Sequence, residues 1–151
     1  MTCEIRLARE EDADAISLVI VDALRHTNAR DYSPVIIDRV VENFSPDAVR
    51  GLLRSRMVFV AAEGGTVFGT GSLDGAVVRT LFVSPSVQKS GIGSRLMAAI
   101  MGAAQAQGVK TLAVPSSVTA EGFYARLGFK VAEDRYYGEE RTIIMERSLE
   151  S

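Results

Sequence analysis

Apolar residues recur along the chain with two periods, and the places where the period changes mark its elements. Residues 4–8 alternate in the manner of a short strand. Ile16, Val19, Ile20, Ala23 and Leu24 then fall on one helical face, which predicts a first helix over 11–26. Ser33-Pro34 and Ser45-Pro46 each set a capping hydroxyl before a proline suited to a first helical turn, predicting short helices over 34–43 and 46–54. Beyond them the pattern becomes extended. Met57 to Ala62 is an apolar run, Glu63-Gly64-Gly65 a turn, and Thr66 to Leu73 its hairpin partner. Asp74-Gly75 is a second tight turn into Ala76–Val83, completing an antiparallel meander.

A longer helix from Gly91 to Gln107 buries Ile92, Leu96, Ile100 and Ala103 at helical spacing, and Gly108 ends it. Thr111–Val114 reads as a short strand closed by Pro115. Ser116 or Ser117 then caps a helix that runs to Leu127. Phe129–Ala132 and Arg141–Arg147 are closing strands, with Ile143 and Met145 on one face. The order βααα-βββ-α-β-α-ββ predicts an α/β fold of the mixed α+β kind: about six to seven strands in one mixed sheet, helices on both faces.

Composition narrows the setting. The 151 residues fit one domain spanning 1–151, and 47% hydrophobic with 24% charged content belongs to a globular chain. A net charge of −2 gives no general attraction to nucleic acid or to an anionic membrane, so neither is expected as a partner. Cys3 is the one cysteine; it admits no internal disulfide, cannot build a metal site alone, and is expected as a buried strand residue. The N-terminus lacks the basic-then-apolar layout of a signal peptide, and no apolar run approaches the ~20 residues that span a bilayer, so a cytoplasmic location is expected.

The chemistry concentrates in the stretch from Val83 to Leu96, where a strand passes through a loop with two glycines into a helix. Side-chain-free positions at a helix start leave N–H groups uncovered with the positive end of the helix dipole behind them, a geometry that binds a pyrophosphate. A Walker loop is excluded because no Gly-Lys-Ser/Thr follows at the required spacing. A dinucleotide fingerprint is excluded because Leu96 stands where a third glycine or alanine belongs. What remains is Gln88-x-x-Gly91-x-Gly93, with a glycine-rich turn before an ordinary helix as the alternative.

Gln88-x-x-Gly91-Ile92-Gly93-x-x-Leu96, preceded by Leu81-Phe82-Val83-Ser84-Pro85, resembles motif A of the GNAT superfamily of acyl-CoA-dependent N-acetyltransferases. Ala120-x-x-Phe123-Tyr124-x-x-x-Gly128-Phe129 resembles its motif B, and the element order agrees over residues 4–148. The resemblance implies a sheet whose central parallel strands splay apart, and an acyltransferase with acetyl-CoA as cosubstrate and no metal. It implies that Gln88 and the backbone N–H groups of Lys89, Ser90, Gly91, Ile92, Gly93 and Ser94 hold the pyrophosphate, with Lys89 and Arg95 as nearby cations or as solvated surface charges. Leu81, Phe82 and Val83 would pair their backbone with the pantetheine arm. Tyr124 would protonate the departing thiolate, the competing assignment being a core aromatic. The Val83 N–H is the implied oxyanion donor. Ser117 stands near where the family often carries an asparagine that contacts the pantetheine or the substrate, and it can equally cap the helix.

The base is less defined. The strand before motif A reads Val77-Val78-Arg79-Thr80 and holds no carboxylate; Asp74 belongs to a turn; His26 closes the first helix as a candidate base or as a solvated residue. A water chain to bulk solvent needs no dedicated base. Acceptor recognition is expected from His26, Asn28, Asp31 and Tyr32, with Asp31 binding a cation, Tyr32 stacking, and Arg135–Glu140 as an opposite wall or a solvated loop. The acceptor is a small-molecule or protein amine. A non-catalytic acyl-CoA-binding module is the competing function, and exposed strand edges admit a homodimer.

Overall fold

A computed structural model describes residues 3–88 and 90–150. Seven strands form one sheet in the order β1-β2-β3-β4-β5-β7-β6. These are β1 (Glu4–Leu7), β2 (Met57–Glu63), β3 (Thr66–Asp74), β4 (Val77–Val83), β5 (Thr111–Ser117), β6 (Lys130–Tyr137) and β7 (Glu140–Ser148). The helices are α1 (Ala13–His26), α2 (Pro34–Val41), α3 (Pro46–Ser55), α4 (Ile92–Ala106) and α5 (Glu121–Arg126). Every neighbouring pair is antiparallel except β4 and β5, which run parallel at the centre. This is the mixed α/β architecture expected from the residue pattern.

The sheet is coated on both faces because its central strands bury alternate residues on opposite sides. Val58, Val60, Ala62 and Val67 pack with Ile16, Ile20 and Leu24 of α1, Ile37 of α2 and Val49 of α3. Leu73 and Val78 pack instead with Met97, Ile100 and Ala104 of α4, joined by Leu112, Ile143 and Met145. The two proline-led helices start as expected. Ser33 Oγ accepts from Ile36 N–H at 3.3 Å and Ser45 Oγ from Ala48 N–H at 3.2 Å. Cys3 is buried as expected, but it precedes β1 and does not belong to the strand.

Three expectations need correction. Pro115 does not close β5, which continues to Ser117. Ala113 N–H donates to the Ala76 carbonyl at 3.0 Å, so it points toward β4. Two residues on, the Pro115 nitrogen faces the same edge, where β4 and β5 share no further pairing beyond Val77 with Ala113. The missing donor therefore costs no ladder bond. The last helix begins at Glu121, because Ser117 still belongs to the strand and ends it with a turn. Finally, the closing strand expected over Phe129–Ala132 runs on to Tyr137, so Arg135–Glu140 forms the tip of a hairpin in which Tyr137 pairs with Glu140.

One irregularity shapes the centre. Gly71 alone on β3 faces Thr80 and Leu81 on β4, a bulge in which Thr80 takes φ +57°, a rare value for a β-branched residue. Arg56 Nη1 donates to Thr80 Oγ1 at 3.1 Å and pins it. A Cβ at position 71 would come within 2.6 Å of Leu81 Cδ1, so only glycine fits opposite the bulge without displacing it.

Candidate active site

β4 and β5 diverge immediately after their single pairing step, and the space between their C-terminal ends holds two connected cavities. The larger, about 500 Å³, lies against the start of α4. Gly91 precedes that helix with φ +87°, no side chain caps it, and no acidic residue occupies its first turn. The N–H groups of Ile92, Gly93 and Ser94 are thus free of side-chain competitors at the positive end of a 15-residue helix. A diphosphate fits this donor set.

The structure separates the expected cofactor residues into groups. Leu81, Phe82 and Val83 line the larger cavity from β4, and Gln88, Gly91, Ile92, Gly93 and Ser94 from the loop and helix. Ser84 N–H donates back to Phe68 of β3 at 2.8 Å, so by alternation the Val83 N–H faces the opposite, opened edge. Gln88 spends its amide on structure, donating to Thr27 Oγ1 at 2.9 Å and to the Val83 carbonyl at 3.4 Å. Ser90 donates to the Val87 carbonyl and does not line the cavity. Lys89 lies outside the described residues. Arg95 points away from the phosphate side, donating to the Cys3 carbonyl at 2.8 Å and to Cys3 Sγ at 3.3 Å. Gly93 serves packing as well: a Cβ there would stand 3.2 Å from the Phe123 ring of α5.

The smaller cavity, about 180 Å³, lies on the α1–α2 side. Tyr124 lines it, 4% exposed, its ring edge-on to Phe123 at 5.2 Å and to Phe129 at 5.6 Å. Its hydroxyl has no partner among the described residues, and none of their fully buried polar side-chain atoms is left unpaired, so that oxygen opens into the cavity. Burial pushes the phenol pKa up, which keeps the proton on the oxygen.

Five residues line both cavities: Asn28, Leu81, Phe82, Ser117 and Ala120. Ser117 also caps its turn, Oγ accepting from Ala120 N–H at 3.2 Å. Asn28 is 7% exposed and its carboxamide has no partner among the described residues. The remaining acceptor candidates divide. Tyr32 lines the smaller cavity with its ring, while its hydroxyl donates to the Arg141 carbonyl at 3.0 Å and accepts from Val118 N–H at 2.7 Å. Asp31 lies outside both cavities and accepts from Thr119 Oγ1 at 2.8 Å. His26 is exposed, also outside both, with Nδ1 2.9 Å from the Asp22 carbonyl one turn back.

Residues 28–145 match the acetyltransferase (GNAT) domain family. The chain belongs to the GNAT acetyltransferases, and so to the acyltransferases. Solved GNAT structures share its fold. A GCN5-related N-acetyltransferase from Rhodopseudomonas palustris superposes with a TM-score of 0.90 at 24% identity, over 98% of this chain and 96% of that one. The PaiA N-acetyltransferase of Thermoplasma acidophilum, solved with coenzyme A, gives 0.84 at 21%, over 98% and 99%. YncA of Salmonella typhimurium, solved with its cofactor acetyl-CoA, gives 0.67 at 21%, over 100% and 96%. No curated protein sequence matches the chain significantly. Among the described residues no helix is long and apolar enough to cross a membrane, and no group of three His, Cys, Asp or Glu side chains could hold a metal.

One residue lining this site left no mark in the motifs, and a second stood in the sequence only as part of the Arg135–Glu140 wall. Arg126 lines the larger cavity and makes no ion pair or hydrogen bond to a described residue. Its signal was a cation two positions after Tyr124, on the helix that faces α4. Glu140 is the one charged side chain among the described residues lining the smaller cavity, and Arg39 of α2 donates to it at 2.8 Å. Nothing in its mixed-charge neighbourhood set it apart.

Proposed function

We propose that this chain transfers the acetyl group of acetyl-CoA to a primary amine by direct attack with both substrates bound, residues 1–151 acting as one catalytic unit. The observation that carries the proposal is the meeting of two cavities at the split between β4 and β5, one walled by bare helix N–H groups and the other by an unpaired tyrosine hydroxyl.

The free N–H groups of Ile92, Gly93 and Ser94 take the diphosphate, and Arg126 adds a cation at the same mouth. The open edge of β4 at Leu81–Val83 offers main-chain groups to the pantetheine arm, as an added strand would use them. Acetyl-CoA supplies a thioester carbon to be attacked and a thiolate to be released. The Val83 N–H, aimed across the opened edge, stabilises charge on the carbonyl oxygen. Asn28, at the junction, orients the amine through its carboxamide. The new C–N bond forms as the C–S bond breaks; the Tyr124 hydroxyl gives its proton to the sulfur, the amine nitrogen sheds one to water, and that proton returns through solvent to the Tyr124 oxygen, restoring the phenol. Burial raises the pKa of Tyr124, so the acid stays loaded at neutral pH.

Titration calorimetry with acetyl-CoA, followed by a thiol-release assay over an amine panel, tests the proposal. Saturable heat with amine-dependent thiol release is the expected result. Absence of heat from well-folded protein would remove the cofactor assignment, and binding without transfer to any amine would remove the reaction.

A further inference from the structure

We infer that the acceptor is a small monoamine with a compact, uncharged apolar body, on the scale of 2-phenylethylamine. This rests on the transferase function proposed above and specifies its second substrate.

The size comes from the smaller cavity. Its volume of about 180 Å³ slightly exceeds the ~150 Å³ apolar cavity that accommodates benzene, leaving room for a ring and a short stem. The chemistry comes from its walls. Leu24, Ile36, Ile37, Val40 and Phe44 bring apolar side chains from α1, α2 and the turn that follows it, and Val78 and Val114 bring them from β4 and β5. Of the polar lining residues, Tyr32, Thr80 and Ser116 already spend their hydroxyls on hydrogen bonds within the protein; Asn28 and Ser117 stand where the two cavities share walls, Tyr124 lines the smaller cavity alone, and Glu140 and Thr142 come from the closing hairpin. An amine therefore enters with nitrogen toward Asn28 and apolar body toward α2. Asn28 supports this orientation: the residue is only 7% exposed, its carboxamide is unpaired among the described residues, and it borders both cavities.

Charge excludes the other common amines. No basic side chain among the described residues lines the cavity, so an amino acid carboxylate would be buried without a counterion. The single acid, Glu140, is already paired with Arg39 at 2.8 Å, so a second ammonium of a polyamine or of lysine would also enter uncompensated. The apolar surroundings assist the chemistry, because desolvation lowers the pKa of the bound ammonium and makes the free amine accessible without a dedicated base.

The test measures thiol release at saturating acetyl-CoA with benzylamine, 2-phenylethylamine, spermidine and lysine. The aryl amines should exceed spermidine and lysine in kcat/KM by at least a hundredfold. Val40→Phe, which fills the cavity, should raise the KM for 2-phenylethylamine at least tenfold while calorimetric binding of acetyl-CoA is unchanged. Ile36→Ala, which enlarges it, should shift preference toward the bulkier tryptamine and remains informative should the first variant fail to fold. Acetyl-CoA binding with preference for spermidine or lysine, or with none of the four acetylated, overturns this inference and leaves the cofactor assignment standing. Two folded variants that do not alter acceptor preference overturn it equally. Loss of acetyl-CoA binding by the wild type removes the underlying function and the inference together.

Discussion

Replacing Tyr124 by phenylalanine removes one oxygen and nothing else that the surrounding structure uses. The ring keeps its edge contacts with Phe123 at 5.2 Å and Phe129 at 5.6 Å. The hydroxyl has no partner among the described residues, so its removal orphans no other group and stability should move by less than ~0.5 kcal/mol. The cofactor should bind nearly as before, because the N–H groups of Ile92, Gly93 and Ser94 hold its diphosphate and Tyr124 would meet it only at the sulfur. The whole effect is therefore expected in the chemical step. A positioned proton donor contributes about 10²- to 10⁴-fold, or roughly 3–5 kcal/mol at 1.36 kcal/mol per decade.

The assay is kcat from thiol release at saturating acetyl-CoA and amine, beside the calorimetric Kd for acetyl-CoA. kcat should fall at least a hundredfold with Kd unchanged. The pH profile supplies an independent check. The donor works only when protonated, and burial raises its pKa above the ordinary 10, so wild-type kcat should not decline on the alkaline side as pH rises through 10. A Tyr124→Phe enzyme within threefold of wild type in kcat would refute the proton-donor role and leave Tyr124 as a packing residue.

Arg126→Ala removes an exposed cation at the cofactor mouth, so the KM for acetyl-CoA should rise about three- to tenfold at low salt, with a smaller difference at high ionic strength and an unchanged melting temperature. Gly71→Ala places a Cβ 2.6 Å from Leu81 Cδ1; that methyl can swing aside at about 1 kcal/mol, but Leu81 borders both cavities, so kcat/KM should fall by more than the melting shift alone would suggest. Asp12 accepts from Arg6 at 2.8 and 3.1 Å and from Arg9 N–H at 2.7 Å, and Asp12→Ala should cost about 2 kcal/mol, lowering the melting temperature by roughly 4–8 °C. The Arg6 hydrogen bond holds the Asp12 carboxyl below its usual 3.8, so that stabilisation is present above pH 3.8 and disappears as pH falls through the lowered value, where variant and wild type should converge.

What could be read from the sequence was local. The two Ser-Pro caps, the β2–β4 meander and the amphipathic stripes of α1 and α4 each depend on residues a few positions apart, and each formed where the pattern put it. Gly91 and Tyr124 stood out because each sits in a short motif that resembles one of the family's, and each lines one of the two cavities. Long-range pairing left no such mark. Arg95 reaches Cys3 across 92 positions and Arg39 reaches Glu140 across 101, so neither partner could be inferred from spacing. β6 runs to Tyr137 although all eight of its residues are exposed, and without a buried face there is no alternation to follow. His26, Asn28, Asp31 and Tyr32 all carry fitting chemistry in one segment, but the chain there turns only Asn28 and Tyr32 inward.

Pro115 and Gly71 explain why that inward turn meets an opening at all. Two parallel strands at the centre of a sheet would ordinarily pair along their whole length, because each unpaired buried N–H or C=O costs free energy. β5 lacks one of those donors at the first position beyond its contact with β4, where Pro115 aims a nitrogen without hydrogen at the neighbouring edge. β4 is bent at the same level by the Thr80–Leu81 bulge, which has room because its opposite residue is glycine. One strand cannot offer the bond and the other is turned from the plane in which it would be made. The Val83 N–H beyond the bulge is thereby left facing the gap, in the cavity that the start of α4 also lines. An extended ligand that restores strand pairing would recover there the hydrogen bonds that the two strands cannot give each other.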